Sequence, residues 1–178
     1  MRRIPRSSGL LAVAAAAAAT VAFIAPPPVD ATIYVIDRQP ATDPADPAIA
    51  SADAIIVGEV VGARAEWRGG RIVTRGRIQV LASLKGRAAS VVAVEVPGGK
   101  VGGVVMEVIG GARLVTGQRT LLYLRQAGAV HVVQGLAHGA RPIWIDSSGV
   151  VQVERVDGSS VPLAEVEAQV RARLRGRP

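Results

Sequence analysis

The chain predicts a mainly β fold, a small antiparallel barrel or sandwich with a short N-terminal helix and a C-terminal amphipathic helix. Three observations carry this. From Ala54 onward apolar residues recur with a period of two, as in "IVTRGRIQVLASL", where Ile72, Thr74, Ile78, Val80, Ala82 and Leu84 fall on one face and Arg75, Arg77, Gln79 and Ser83 on the other. At least five such segments follow one another through glycine-containing turns with no crossover helix between them. The last stretch, "PLAEVEAQVRARLR", changes period, with Leu163, Val166, Val170 and Leu174 in a stripe at helical spacing. A length of 178 residues with 49% hydrophobic content suits one core, and a single domain is expected over 48–178, its helix over 161–175.

The N-terminal 31 residues read as a secretory signal peptide. "MRRIPRSSG" is basic, residues 10–25 are apolar, and "PPPVDA" places Val29 and Ala31 at the minus-three and minus-one positions of a cleavage site. The apolar run is shorter than the roughly 20 residues that cross a bilayer, which leaves a retained anchor as the alternative. A secreted or periplasmic location is expected, with no membrane span after cleavage. The chain has no cysteine, which excludes lipid attachment at that site, a disulfide scaffold and a thiolate metal centre.

Residues 32–47 read as a proline-containing tether, punctuated by Pro40, Pro44 and Pro47. Asp43 and Asp46 lack the glycine turn and following glutamate of a calcium loop; Asp46 with Pro47 instead opens the short helix "PAIASA". Next, "AIIVGEVVGARAEW" pairs with the strand containing Ile78 through "RGGR", where Gly69 and Gly70 supply the positive φ of a tight hairpin. Strands follow at "SVVAVEV", near "VVMEVI", at "RTLLYLRQ" and "VHVVQGLA", and in "RPIWID" with "GVVQVERV". The segment "PGGKVGG" is not a phosphate-binding loop. Val101 follows Lys100 where a hydroxyl is needed for magnesium, and a β-branched run follows where a helix is needed, so the segment reads as a glycine-rich loop.

"ADAIIVGEVV" (52–61), "RIQVLASLKG" (77–86), "GQRTLLYLRQ" (117–126) and "VHVVQGLAHG" (130–139), in this order, resemble successive strands of netrin-like domains, the OB-type barrels of tissue inhibitors of metalloproteinases and of cysteine-free secreted bacterial relatives. The resemblance covers roughly residues 46–145. It implies an OB-like barrel and a binding or inhibitory role. The inhibitors' zinc-chelating N-terminal cysteine has no counterpart here, so no site residue carries over.

Candidate chemistry is sparse, and no catalytic, cofactor or metal residue is assigned. His131 and His138, the two histidines, are seven apart and point to opposite faces of a continuous strand, unless Gly135 bulges the chain. A metal-assisted hydrolase using this pair is the alternative function. Ser147 and Ser148 sit in a turn beside Asp146 without a nucleophile elbow. Glu59, Glu95 and Glu107 occur singly and read as solvated. Of the 21 basic residues all but Lys85 and Lys100 are arginines, which accompany high Ala, Gly and Val and read as solvated surface; an envelope protein binding polyanions through its C-terminal arginines is a further alternative. Beyond the leader the aromatics are only Tyr34, Trp67, Tyr123 and Trp144, too few for a base-stacking platform, which argues against nucleic acid. Tyr123, within "LLYL", reads as core.

The reading this favours is a monomeric, non-enzymatic module that binds a protein partner in the envelope or extracellular space through loops at one barrel end. Trp67, Arg68 and Arg71 in the "EWRGGR" turn and Lys100 in "PGGKVGG" are the candidate contacts, an aromatic–arginine set typical of interfaces. The competing reading of these segments is that Trp67 caps the barrel and the glycines only permit the turns. The leader makes a first prediction: N-terminal sequencing of extracytoplasmic protein is expected to start at or near Thr32, whereas a membrane-retained chain starting at Met1 would mean an anchor.

Overall fold

A computed structural model describes residues 31–34, 45–155 and 157–176. Residues 1–30 of the expected signal peptide (1–31) and residues 35–44 of the expected tether (32–47) lie outside the described residues. Strand β1 (Ala31–Tyr34) comes first, so Thr32–Tyr34 belongs to a sheet and not to the expected tether. Helix α1 (Ala45–Ser51) begins two residues before Pro47, placing the Asp46–Pro47 pair in its first turn.

Strands β2 (Ala54–Arg68) and β3 (Arg71–Lys85) form the predicted long hairpin, turning at Gly69 and Gly70 with φ of 55° and 76°. Three register shifts, at Ile55/Ile56, Val57/Gly58 and Val60/Gly62, bend the pair. Gly58 is required inside that bend, since a Cβ there would lie 2.4 Å from Ile78 Cγ2. The bulges also explain where the predicted face fails. Ile72 and Ile78 are buried and Thr74, Val80 and Leu84 half-buried, but Ala82 is exposed, next to Leu81, which falls outside the register with β2 and is exposed as its place on the outer face predicts. Val73 is buried although it belongs to the opposite face.

Strand β4 (Val91–Pro97) pairs antiparallel with β3, and a small hairpin of β5 (Gly99–Val101) and β6 (Val104–Val108) follows, with β1 alongside β6 in parallel. Strand β7 (Arg119–Ala127) pairs with β2 on one edge and with β8 (Val130–Val133) on the other, while β8 meets β4 in parallel at Val94↔His131 and Glu95↔Val132. The ladders therefore link β2, β3, β4, β8 and β7 in a circuit. The barrel is nevertheless not closed: the parallel link is two residue pairs long, and the sheet continues beyond it. After Val133 the chain turns at Gly135 (φ 78°) through a 3₁₀ turn (Leu136–Gly139) and returns to the same edge of β7 as β9 (Ala140–Ile145). From there β10 (Val151–Glu154) and β11 (Ser160–Pro162) extend the sheet openly.

Strand β7 is buried at five successive positions, Thr120 to Leu124, which its uninterrupted apolar run anticipates for a strand covered on both faces. Leu122 and Leu124 join Ile56, Val60, Ile78, Val92 and Val94 in one core. Leu121 and Tyr123 face the other, with Ile55, Val57, Ile143 and Val153 beneath helix α2 (Leu163–Arg175) and Ile49 of α1. In α2, Val166 and Val170 are buried and Leu163 is half-buried, but Leu174 is exposed, so the predicted apolar stripe ends a turn early. Lys85 Nζ ties the layers together by donating to the last-turn carbonyls of Ile49 (2.7 Å) and Ala50 (3.1 Å). Among the described residues no helix is long and apolar enough to cross a membrane.

Ile78→Asp buries a carboxylate among Val60, Val92 and Leu122 and should destabilise the fold by about 3 kcal/mol or more, whereas Arg77→Asp, on the exposed side of the same strand, should cost under about 1 kcal/mol. Urea melts of the two variants measure this, and equal losses would refute the register.

Candidate binding surface

Strand β7 covers the outer edge of β2 only over Ala54–Glu59, with Gly117 and Gln118 bonding the backbone of Val60. Beyond that point β2 and β3 run on as a hairpin ribbon to Gly69–Gly70, with β4 still paired to β3 over Val73–Gln79, so that the β2 edge is the one left without a further ladder among the described residues. Its register is unbroken from Gly62↔Arg77 to Arg68↔Arg71, so the side chains sort cleanly into two faces. One face carries Arg64, Glu66, Arg68, Arg71, Val73, Arg75 and Arg77; the other carries Ala63, Ala65, Trp67, Ile72 and Thr74.

The four candidate residues surround the ribbon tip but do not share one face. Trp67 is 52% exposed and projects opposite to Arg68 and Arg71, so the side-by-side aromatic–arginine pairing expected from sequence is not formed. Arg68 Nη1 donates to Glu95 Oε2, and Arg75 Nη2 lies 3.6 Å from the same oxygen and 3.7 Å from Glu66. Arg71 is exposed and has no ion-pair partner among the described residues.

"PGGKVGG" proves to be the β5–β6 hairpin and not a free loop. Its position depends on glycine: a Cβ on Gly99 (φ 135°) would lie 2.6 Å from Thr74 Oγ1 and 2.8 Å from Ala65 Cβ. This close approach is fixed by the Gly98 N–H to Ile72 carbonyl (2.9 Å) and by Thr74 Oγ1 donating to the Gly98 carbonyl (2.8 Å). Lys100, next in the strand, is exposed. The hairpin thus lies across the tryptophan face of the ribbon, near the tip. Beneath it opens a cleft of about 370 Å³ bordered by Thr74, Val96, Pro97, Met106, Leu114 and Val115.

Sequence reasoning missed the ion pairs. Glu59, Glu95 and Glu107, expected to be solvated singly, each face an arginine: Glu59 lies 3.6 Å from Arg119, Glu107 accepts from Arg113, and Glu95 serves Arg68 and Arg75 with only 14% of its side chain exposed. The cross-strand alternation of charges in "RGRIQ" and "VAVEV" was the available signal, readable only once the register is known.

The histidines occupy different elements. His131 lies in β8 opposite Gln126, and His138 lies in the 3₁₀ turn, where burial and then the Arg141 guanidinium hold its pKa below the ordinary imidazole range. Among the described residues no three His, Asp or Glu side chains converge as a metal site would need. Arg141 is only 5% exposed; its guanidinium stacks 5.5 Å from the centre of the Tyr123 ring, and its Nε donates to the His138 carbonyl.

Ser148 is a turn residue. Its hydroxyl and amide both donate to Asp146 Oδ1, as does the amide of Val150, while Gln152 donates to Oδ2. No protein-family model matches the chain, and no curated protein does.

Hydrogen bonds from Ser148, then Gln152, then the Val150 amide lower the Asp146 pKa to about 2. A carboxylate depressed in the folded state stabilises the fold fully above its unfolded pKa and loses that contribution as pH falls through the folded value. The difference in melting midpoint between wild type and Asp146→Asn should therefore be constant above about pH 5 and shrink between about pH 4 and pH 2. A difference that does not change with pH would refute the role of the charge.

Proposed function

We propose that this chain is a secreted or periplasmic, non-enzymatic module that binds a protein partner through the distal end of the β2–β3 ribbon and the β5–β6 hairpin packed on it. One observation carries the reading: the β2 edge outruns its neighbour β7, and the hairpin tip it leads to holds a half-exposed tryptophan on one face and exposed Arg71 on the other, with exposed Lys100 on the β5–β6 hairpin packed against the ribbon. An exposed tryptophan on a rigid support loses little entropy on binding, and aromatic and arginine side chains dominate interface energetics. The ladder with β3 and the packing of Gly99 supply that support. The leader supports the compartment.

We further read the barrel as OB-type and netrin-like. Its support is the circuit of ladders, five strands in which the third and fifth, β4 and β8, meet in parallel, in a barrel that remains partly open. An inhibitor-like role follows from that resemblance alone.

Alanine at Trp67, Arg71 and Lys100 together should abolish capture of the native partner from the secreting cell's envelope fraction and shift the melting midpoint by no more than a few degrees. Arg68 is left in place because it holds Glu95. Undiminished capture by the triple variant would remove the ribbon tip from consideration, and a large stability loss from Trp67→Ala alone would make the tryptophan structural.

A further inference from the structure

We infer that the free edge of β2, residues 62–68, receives an acidic polypeptide segment in extended conformation as an added strand. This deepens the binding-module reading and rests on it. The first observation concerns backbone. Among the described residues, β2 beyond Val60 pairs with β3 alone. The hairpin closes through a two-residue turn, so Arg68 and Arg71 exchange both of their ladder bonds; by alternation Gly62, Arg64 and Glu66 also bond toward β3. Ala63, Ala65 and Trp67 consequently direct their N–H and C=O groups outward. Such a row of unpaired groups is the template for strand addition.

The second observation concerns charge. The arginine face holds Arg64, Arg68, Arg71, Arg75 and Arg77 against Glu66, with Glu95 from β4 engaged by Arg68 and Arg75. Arg64 and Arg77 are exposed and have no ion-pair partner among the described residues. A strand laid on the edge would place alternate side chains beside Arg64, Glu66 and Arg68, where acids complement the two arginines while Glu66 is already turned to Arg75, and the intervening ones beside Ala63, Ala65 and Trp67, where apolar residues fit. Alternating acidic and apolar residues in an extended chain satisfy both faces at once. A polysaccharide or other polyanion meets the charge but brings no peptide ladder for the outward amides, so the edge favours a polypeptide.

The test uses a labelled synthetic peptide alternating Glu and Val, with a control of the same sequence N-methylated at alternate residues to remove its ladder donors without changing its charge. Fluorescence anisotropy on the full chain should show saturable binding of the first peptide and binding at least about tenfold weaker for the control. Ala63→Pro removes an outward N–H while leaving the bonds to β3 intact, and should weaken binding about as much. Arg64→Glu with Arg77→Glu should also weaken it and flatten its dependence on salt. Equal binding of the two peptides, or of wild type and Ala63→Pro, would overturn strand addition in favour of a general polyanion patch, and absence of saturable binding would overturn the site. The N-methylated control decides on wild-type protein even if a variant folds poorly. Because Ala63→Pro keeps Trp67, Arg71 and Lys100, partner capture that persists without peptide binding sinks the edge alone and leaves the ribbon tip standing.

Discussion

The antiparallel ladder between β2 and β3 is the interaction on which the rest of the molecule depends. Each strand has fifteen residues, which at about 3.3 Å per residue is roughly 50 Å of ribbon. The other partner of β2 pairs with only its first six residues, and β4 pairs with β3 over Val73–Gln79. Along the distal part β3 is therefore still flanked by β4, and it is the β2 edge alone that runs on past its neighbour β7. Bulges are confined to the proximal part, where the wall must curve; from Gly62 to Arg68 the ladder is regular and its faces well defined. The same ladder thus supplies a bulged stretch beside β7 and a regular stretch whose β2 edge is open while Ile72 and Val73 of β3 stay buried.

Burial on both faces of β7 is the second constraint. Leu121 and Tyr123 look toward the helices, Leu122 and Leu124 into the barrel, so one short strand joins two cores. At the margin of the first core lies Arg141, nearly buried, with no ion-pair partner among the described residues. Stacking on Tyr123 and the bond to the His138 carbonyl offset part of its desolvation. That contact also anchors the 3₁₀ turn through which the chain leaves β8 and rejoins β7 as β9, and so stabilises the point at which the barrel opens.

Much of this fold was legible in the sequence because its signals are local. "RGGR" specifies a two-residue turn through two glycines, "RTLLYLRQ" announces a doubly buried strand, and the heptad-like spacing of Val166 and Val170 places α2. What was not legible depends on non-local register. Ala82 breaks the predicted face because a bulge interrupts a ladder that sequence alone cannot align. "PGGKVGG" resembles a loop because its glycines suggest freedom, whereas Gly99 is there to let backbone approach Thr74 and Ala65. Trp67 and Arg68 look like a pair when read along the chain, and adjacency in a strand is the very thing that separates them to opposite faces.

The charge pattern of the ribbon carries its own cost. Arg64 stands directly opposite Arg75, and Arg68 opposite Arg71. Like charges so placed destabilise a ladder by roughly 0.2–1 kcal/mol per pair. Alternating signs across the strands would remove that penalty, and natural edges need only a charge or two to discourage unwanted pairing. Glu95 relieves the repulsion for Arg68 and Arg75, because its largely covered carboxylate sits between them. Nothing among the described residues relieves it for Arg64 or Arg71. A hairpin that tolerates repulsion on its own ladder while leaving its outer amides unpaired is less stable alone than a charge-alternating one. An acidic strand laid along β2 would remove both defects together, since its carboxylates would screen the arginines and its backbone would complete the ladder.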